Sequence, residues 1–181
     1  VSNGSSLLLY LAIRILAPPG SQVILTDPCY ACYENVVRLA GAEPVMIKLR
    51  HEDGFQLNVD DLKKRVTPKT RAMLINSPMN PTGVVFSSEV MTALAELDIP
   101  IISDEIYADL SFEDPPCSFL SYSPQTVAIH GFSKSYAMTG WRLGYMITPL
   151  EWMSAADRLH QNLMISATEF VQEAGIWVLQ K

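Results

Sequence analysis

Cysteine is scarce in this 181-residue sequence, which contains only three. A small and odd number of cysteines argues against a disulfide framework and favours a reducing compartment, so we expect a cytoplasmic location. Cys29 and Cys32 form a C-x-x-C pair, a spacing that leaves a redox pair or a metal site open. Because Cys117 stands alone, no second pair completes a zinc site, and we expect no bound metal.

The sequence also lacks a long apolar run and an excess of positive charge. No apolar run approaches the roughly 20 residues that cross a membrane as a helix, so no membrane partner is expected. Lys and Arg number 13 against 19 Asp and Glu, and the resulting net charge of -6 disfavours nucleic-acid binding. With 49% apolar and 18% charged residues, the composition predicts a globular chain whose length fits one domain.

Short apolar runs alternate with helical stretches along the chain. Helices are predicted between the runs, and a mostly helical stretch follows Pro149. Buried strands that alternate with helices are typical of a parallel sheet covered on both faces. We therefore predict a three-layer α/β/α sandwich with a mostly parallel sheet of about seven strands. The runs that read as strands are 23–25, 44–49, 72–75, 99–102, 127–129 and 143–147.

Polar residues follow four of these predicted strands. Tyr30 comes after the strand at 23–25, and Asn80 comes after the strand at 72–75. Asp104 and Lys134 follow the strands that end at 102 and 129. Because ligands of parallel α/β sheets bind beyond the carboxyl ends of the strands, we expect these four side chains to converge on one site.

Lys134 is the centre of the predicted site. A lysine amine becomes a nucleophile when its surroundings favour the neutral form or when it is held as a Schiff base. A lone Ser-Lys pair in a loop is more often a solvated lysine. Here, however, Ser133, Gly140 and Arg142 supply what a phosphate needs, which is a hydroxyl donor, room for the backbone and a planar cation.

A second phosphate contact is predicted where Gly4, Ser5 and Ser6 lead into an apolar helix that ends before Pro18. The free N–H groups and the positive end of a helix suit a phosphate. The two serines would serve equally well as ordinary helix caps, and this segment alone favours capping.

Four further side chains fit an aromatic cofactor, and each has a purely structural alternative. Asp104, at the end of an apolar strand, would pair with a protonated ring nitrogen or with a nearby Lys or Arg. Tyr107 and Asn80 would bind a phenolic oxygen, or they would serve packing and turn formation. Tyr30 would stack on a ring or pack in the core.

Three motifs resemble the pyridoxal-phosphate-dependent aminotransferases of class I/II, which belong to fold type I. They are Ser-Pro-x-Asn-Pro-Thr-Gly at 77–83, Ser-Asp-Glu-Ile-Tyr at 103–107 and Ser-Lys-x-x-x-x-x-Gly-x-Arg-x-Gly at 133–144. The motifs stand in that family's order and at about its spacing. Weaker matches are Pro28-x-Tyr30-x-x-Tyr33 and the run at 3–6, and the run at 137–141 resembles the aspartate/aromatic-type branch.

The resemblance implies a role for each candidate residue. Lys134 would hold pyridoxal 5'-phosphate as a Schiff base and then move the proton between the substrate α-carbon and the cofactor. Asp104 would pair with the pyridinium nitrogen and keep the ring an electron sink. Tyr107 would be catalytic together with Lys134 and Asp104, and it would bind the phenolic oxygen with Asn80. Tyr30 would stack on the ring. The phosphate would be held by Gly4, Ser5, Ser6, Ser133 and Arg142.

The resemblance further implies an amino transfer between an amino acid and a 2-oxo acid, carried out by a homodimer. One alternative is a carbon–sulfur lyase or another β-eliminating relative that uses the same cofactor. A second alternative is a cofactor-binding effector domain of a transcription regulator that does not turn over substrate. Each alternative keeps the lysine, so the motifs alone do not separate them.

Members of the family are about twice as long as this chain. We therefore expect residues 1–149 to form the core of the large, cofactor-binding domain. Residues 150–181 are expected to form the C-terminal helical part of that domain, leading toward a small domain that is absent. The family's arginine for the substrate α-carboxylate lies in that small domain, so this chain would hold the cofactor machinery without the complete substrate site.

Overall fold

Strands and helices alternate along most of the chain in this computed structural model, which describes residues 1–112 and 116–180. The strands are β1 (Gln22–Asp27), β2 (Glu43–Lys48), β3 (Thr70–Asn76), β4 (Ile101–Asp104), β5 (Thr126–Gly131) and β6 (Gly144–Ile147). The helices are α1 (Ser5–Leu16), α2 (Tyr33–Leu39), α3 (Val59–Lys63), α4 (Ser88–Ala95), α5 (Leu150–Met164) and α6 (Glu169–Leu179).

The strands form one sheet in the order β2-β1-β3-β4-β5-β6. The first five strands are parallel, and β6 runs antiparallel to β5 at one edge. The predicted α/β class with a mostly parallel sheet is confirmed. Within the described ranges the sheet has six strands rather than the expected seven or so.

Both faces of the central strands are buried, which explains why those strands read as continuous apolar runs. Along β1, Val23 and Leu25 pack into one hydrophobic core, while Ile24 packs into another on the opposite face. Helices α1 and α2 cover the first face, and Trp152 and Leu159 of α5 pack against the same core. Helices α3 and α4 cover the second face.

Several element boundaries differ from the sequence prediction. Helix α2 begins at Tyr33, so Tyr30 lies in the loop between β1 and α2. Strand β4 extends to Asp104, which therefore ends the strand rather than following it. The N-cap of α1 is Gly4, and no side chain caps this helix, whereas Asn58 caps α3 by accepting a hydrogen bond from the backbone of Asp61.

The C-terminal stretch, predicted to be mostly helical, is divided into two helices. Helix α5 ends at Met164 and α6 begins at Glu169, so the break falls around Ser166. Val171 of α6 packs with Phe132, Met138 and Leu143 in a small separate core beside the end of β5. This packing holds the segment after β5 in place.

Cys29, Cys32 and Cys117 are free thiols, so the C-x-x-C pair is not a disulfide in this structure. Within 1–112 and 116–180, no group of three His, Cys, Asp or Glu residues is arranged to hold a metal ion. Over the same ranges, no helix has both the length and the apolar character that crossing a membrane requires.

Candidate functional site

A cavity of about 240 Å³ opens at the carboxyl ends of β3, β4 and β5. Of the ten residues to which the resemblance assigns a role, nine line this cavity, and the tenth, Gly4, lies against Arg142, whereas Gly140 does not line it. The predicted residues in the lining are Ser5, Ser6, Tyr30, Asn80, Asp104, Tyr107, Ser133, Lys134 and Arg142. The expected convergence at one edge of the sheet therefore occurs.

Lys134 follows β5 in a tight turn. The turn is closed by two backbone hydrogen bonds, in which Met138 donates to Phe132 at 3.1 Å and Ala137 donates to Lys134 at 3.1 Å. The Lys134 side chain is exposed, and its Nζ lies 5.8 Å from the centre of the Tyr107 ring, within the range of a cation–π contact. The amine thus lies at the mouth of the cavity, close to a residue from the loop that follows β4.

Arg142 reaches back over the same turn. Its backbone is left-handed, with φ +57°, which directs the side chain toward the cavity. The Nη1 atom donates to the carbonyl of Thr139 at 2.8 Å and lies 3.5 Å from Oγ of the buried Ser133. Thr139 in turn donates its hydroxyl to the carbonyl of Ser133 at 2.8 Å, so the three residues form one rigid unit.

The N-terminus of α1 faces this unit. Ser5 and Ser6 are the first two residues of the helix, and neither is its N-cap, so the capping role weighed from the sequence is not the one they have here. The first N–H groups of a helix have no partner within the helix and carry its positive end. Together with Arg142 they form a positively charged end of the cavity that suits an anion.

The close approach of α1 to the sheet depends on Gly144. Ser2 and Gly144 exchange two backbone hydrogen bonds of 2.8 and 3.0 Å, which attach the start of the chain to β6. A β-carbon at Gly144 would lie within 3.0 Å of backbone atoms of Gly4, Ser5 and His130. The last glycine of the lysine motif is therefore required so that the helix N-terminus can reach the cavity.

Asp104 lies at the opposite side of the cavity and is only 4% exposed. Its Oδ2 accepts a hydrogen bond from the hydroxyl of Tyr33 at 2.7 Å, and its Oδ1 accepts one from the backbone N–H of Ile106 at 3.2 Å. Burial raises the pKa of Asp104 to about 6, although these two hydrogen bonds and nearby His130 oppose the rise. A buried carboxylate with this pKa favours a cationic partner.

Asn80 and Tyr107 lie between these two ends and are bonded to each other. The Asn80 side-chain amide donates to the Tyr107 hydroxyl at 3.3 Å, and the Asn80 backbone N–H donates to Oδ1 of Asn76 at 2.7 Å. Asn76 then donates to the carbonyl of Asp104 at 2.8 Å. Asn80 and Tyr107, which are predicted to bind one ring oxygen, are thus connected by hydrogen bonds to the end of β4.

Tyr30 forms one wall of the cavity and is 39% exposed. Its ring meets the ring of Tyr33 edge-on, with centroids 5.5 Å apart and an angle of 83° between the planes. A hydrogen bond with Cys32 is the main cause of a raised pKa for the Tyr30 hydroxyl. The accessible face of Tyr30 therefore fits an aromatic ligand better than it fits a core position.

Glu105, the neighbour of Asp104 in the sequence, points to the other face of the sheet and is 5% exposed. Its Oε1 accepts hydrogen bonds from the Ser103 hydroxyl, the Ser118 hydroxyl and the Phe119 backbone at 2.8 to 3.0 Å. His130 Nε2 lies 3.1 Å from Oε2. Burial acts to raise the pKa of Glu105, but these contacts outweigh it and lower the pKa.

Sequence reasoning missed three polar residues that line the cavity, namely Tyr33, Asn76 and Thr139. Asn76 ends β3 in register with Asp104, so its position at the end of an apolar run was an available signal. Tyr33 belonged to a quoted motif, but no pattern indicated that its hydroxyl reaches a residue 71 positions away. Thr139 lies inside the lysine motif at a position that the motif leaves open.

A larger cavity of about 690 Å³ adjoins the first one beyond Asn80 and Tyr107, which line both. Apolar side chains such as Met79, Val85 and Leu110 line much of it. Asp104 and Lys134 both line the smaller cavity and not the larger one.

Comparison with known proteins gives consistent matches along the whole chain. The sequence model of one family, described as aminotransferase class I and II, matches residues 1–181. The (5-formylfuran-3-yl)methyl phosphate transaminase of Methanocaldococcus jannaschii is 40% identical over 185 residues, which cover 100% of this chain and 48% of that protein. The arginine–pyruvate transaminase of Pseudomonas aeruginosa is 35% identical and covers 99% and 48%.

Solved structures give the same picture. The aspartate aminotransferase of Thermotoga maritima superposes with a TM-score of 0.96 at 34% identity, over 99% of this chain and 50% of that one. The enzyme of the same name from Thermus thermophilus, solved with maleate, gives a TM-score of 0.91 at 34% identity, over 94% and 46%. The chain spans about half the length of the curated relatives it matches.

Proposed function

Because this chain belongs to the class I and II aminotransferases, we propose that its protein transfers an amino group between an amino acid and a 2-oxo acid. The family uses pyridoxal 5'-phosphate, and we propose that the cavity of about 240 Å³ holds this cofactor. The observation that carries the proposal is the placement of Lys134 and the buried Asp104 in one cavity whose far end is cationic.

The residues present fit the cofactor in their chemistry. A buried carboxylate whose pKa is raised by desolvation suits a protonated ring nitrogen, because a nearby cation stabilises the ionised carboxylate that burial disfavours. The N-terminus of α1 and the Arg142 guanidinium suit a phosphate. The cavity is somewhat smaller than the roughly 300–1,000 Å³ typical of ligand pockets, as expected for a ligand with a single ring.

When bound, pyridoxal phosphate supplies a carbonyl that reacts with amines and a ring that withdraws electrons from the carbon next to the bound amine. We assign Asp104 to hold a proton on the ring nitrogen through its carboxylate. Asn80 and Tyr107 would bind the phenolic oxygen, and Tyr30 would pack on the ring face. Gly4, Ser5, Ser6, Ser133 and Arg142 would hold the phosphate.

Lys134 has two tasks in this proposal. Its Nζ would bind the carbonyl of the cofactor as an amine nucleophile. With substrate bound, the Lys134 amine would accept a proton from the substrate α-carbon and would return it to the cofactor. In this structure Nζ lies 5.8 Å from the centre of the Tyr107 ring.

The substrates are proposed only as classes. The relatives reported above act, by their names, on an aromatic phosphate aldehyde, on arginine with pyruvate and on aspartate, at similar identities to this chain. Their shared transaminase activity favours amino transfer over a carbon–sulfur lyase or a silent cofactor-binding domain. The larger apolar cavity beside Asn80 and Tyr107 is not assigned a substrate.

We propose further that the protein is a homodimer and that it acts in the cytoplasm. Large apolar side chains on the C-terminal helical stretch support an interface there, since Ile165 is 80% exposed and Phe170 is 68% exposed. Three free cysteines support a reducing compartment. We also propose that residues 1–149 form the core of a large domain and that 150–181 are its C-terminal helical part.

An amino-donor screen on the full-length protein tests the proposed function. The protein is loaded with pyridoxal phosphate and mixed with single amino acids in the absence of a 2-oxo acid, while the cofactor absorbance is followed. A transaminase converts the cofactor to its amine form and releases one equivalent of 2-oxo acid. Release of ammonia together with pyruvate would indicate a lyase, and a spectrum unchanged by every amino acid would indicate a silent binder.

A further inference from the structure

The C-x-x-C pair lies beside the cavity. Cys29 and Cys32 stand on either side of Tyr30 in the loop between β1 and α2, and Tyr30 lines the cavity. Both thiols are free, and the proposed amino transfer uses neither of them. The pair is therefore a cluster of two nucleophilic groups, next to the cofactor site, that has no assigned role.

Each thiol contacts a different end of Tyr30. Cys29 Sγ donates a weak hydrogen bond to the Tyr30 carbonyl at 3.6 Å. The same carbonyl accepts the backbone N–H of Tyr33 at 3.0 Å, which closes the turn that leads into α2. At the other end, the Tyr30 hydroxyl is hydrogen-bonded with Cys32. The placement of the Tyr30 ring at the cavity wall therefore depends in part on the two thiols.

The two thiols have different surroundings. Cys32 is exposed, whereas Cys29 is partly buried and packs against the core on the α1 and α2 face of the sheet. Burial, aided by Asp27 and Glu34, raises the pKa of the Cys29 thiol to about 11. Cys29 therefore stays protonated at neutral pH, and a protonated thiol reacts poorly with oxidants. An oxidant in solution reaches the exposed Cys32 first.

We propose that Cys29 and Cys32 form a site of reversible oxidation, in which a disulfide between them weakens cofactor binding by withdrawing the Cys32 contact from Tyr30. The effect on the cofactor rests on the proposed function. Disulfides in a reducing compartment are usually transient and serve catalysis or redox sensing, which fits a pair that is reduced in this structure.

Hydrogen peroxide is the proposed oxidant, and it acts in two steps. The Cys32 sulfur attacks one peroxide oxygen, the O–O bond breaks, and a sulfenic acid and one water form. The Cys29 sulfur then attacks the Cys32 sulfur. The S–S bond forms, the S–O bond breaks, and the hydroxyl leaves with the Cys29 proton as a second water. A dithiol reductant restores both thiols by exchange.

The spacing of the pair favours the second step. Only two residues separate the cysteines, so Cys29 is held at a high local concentration beside Cys32, and this offsets its weak acidity. A disulfide brings its sulfurs to about 2.05 Å from each other. Because the core holds Cys29 and solvent surrounds Cys32, Cys32 is the side chain that turns.

This turn removes the Cys32 thiol from the Tyr30 hydroxyl. The Tyr30 ring, which is 39% exposed, then loses a contact that holds it at the cavity wall. A ring that is no longer held loses part of its stacking on a bound aromatic ligand. We expect the disulfide to weaken pyridoxal phosphate binding roughly tenfold.

Two measurements on the full-length protein test the proposal. Trypsin cuts after Arg14 and Arg38, and the peptide 15–38 contains Cys29 and Cys32 as its only cysteines. Mass spectrometry of this peptide, after hydrogen peroxide treatment, should show a mass lower by two hydrogen atoms. Fluorescence titration gives the dissociation constant of pyridoxal phosphate before peroxide, after peroxide and after dithiothreitol. The affinity should fall with peroxide and return with dithiothreitol.

Three variants separate the roles of the cysteines. Cys32→Ser should form no disulfide, and its cofactor affinity should not respond to peroxide. Cys29→Ser should stop at the sulfenic acid, which dimedone labels on Cys32. Cys117→Ser is the matched control, because Cys117 is also exposed but stands alone in the sequence, and this variant should respond to peroxide as the wild type does.

A wild-type peptide 15–38 that keeps its reduced mass after peroxide would overturn the proposal. A disulfide in this peptide that leaves cofactor affinity unchanged would also overturn it. An equal loss of affinity in Cys32→Ser would assign the effect to another oxidised group, with the same consequence. Failure of the reduced wild type to bind pyridoxal phosphate would instead refute the proposed function, while the peptide mass would still decide whether the pair is oxidised.

Discussion

The guanidinium of Arg142 occupies the space that a side chain at Gly4 would need. A β-carbon built on Gly4 would collide with Nη2 of Arg142, and Gly4 has a φ of +89°. This conformation, which L side chains rarely adopt, brings the start of α1 beside the arginine. The positive end of α1 and the Arg142 guanidinium thus lie side by side because Gly4 has no side chain.

Gly4→Ala should therefore weaken cofactor binding by displacing Arg142. Gly20→Ala is a matched control, because Gly20 also has a positive φ, +84°, but has nothing within 4 Å of its β-carbon. We expect both variants to lose about 1 kcal/mol of unfolding free energy to backbone strain, measured by urea denaturation. Only Gly4→Ala should lose roughly tenfold or more in affinity for pyridoxal phosphate.

A Gly4→Ala protein with the cofactor affinity of the wild type would contradict the role of Gly4 in placing Arg142. An equal loss in both would assign the effect to strain that spreads through the backbone. Inorganic phosphate competes for the same end of the cavity, so its inhibition of cofactor binding should weaken in Gly4→Ala alone.

The edge of the sheet where the site forms was predictable from the sequence. Apolar runs locate the strands, and parallel strands bring their carboxyl ends together, so Asp104 and Lys134 had to lie near each other. The fold class follows from the same alternation. The antiparallel pairing of β6 was not predictable, because 143–147 is as apolar as its parallel neighbours and carries no mark of its direction.

Contacts between distant side chains could not be predicted. Tyr33 and Asp104 are 71 residues apart, and their hydrogen bond depends on how α2 packs against the sheet rather than on any local pattern. The same holds for Glu105, whose partners His130 and Phe119 come from separate elements. The role of Gly4 was only partly visible, because the sequence offered hydroxyl caps at 5–6 and gave no sign that Arg142 takes the space beside it.

Lys134→Ala should abolish covalent attachment of the cofactor. The prediction follows from the position of Nζ at the mouth of the cavity, 5.8 Å from the Tyr107 ring. Full-length protein is incubated with pyridoxal phosphate and reduced with borohydride, and the labelled peptide is identified by mass spectrometry. The exposed Lys69, which precedes β3, provides the control variant Lys69→Ala, and its labelling should equal that of the wild type. A labelled active-site peptide in Lys134→Ala would refute the assignment.

Glu105 should make the protein sensitive to acid. Its pKa lies below the usual value of 4.5, because hydrogen bonds from His130, Phe119 and two serines outweigh burial. The ionised form therefore stabilises the fold above about pH 4.5, and this contribution is lost as the pH falls through the lowered pKa of the folded state. Glu105→Gln should reduce the free energy of unfolding by about 1–3 kcal/mol at pH 7, measured by urea denaturation.

The difference between Glu105→Gln and the wild type should narrow as the pH is lowered below 4.5, since protonation removes the same charge from the wild type. Glu52→Gln serves as the control, because Glu52 is exposed in the turn at His51–Asp53. Its stability should follow the wild type at each pH. A constant difference between Glu105→Gln and the wild type from pH 7 to pH 3 would show that packing rather than charge is responsible.

Asp104→Asn should separate cofactor binding from turnover. The amide has the shape of the carboxylate and still accepts from Tyr33, and the phosphate end of the cavity is unchanged, so the cofactor should bind. Without the negative charge the ring nitrogen is not held protonated, and we expect turnover to fall roughly 100-fold or more.

Asp27→Asn is the control, because Asp27 also ends a strand at this edge but is exposed and does not line the cavity. Its turnover should equal that of the wild type. Asp104→Asn with near wild-type turnover would refute the pairing of Asp104 with the ring, whereas loss of cofactor binding in this variant would make Asp104 a binding residue rather than a catalytic one.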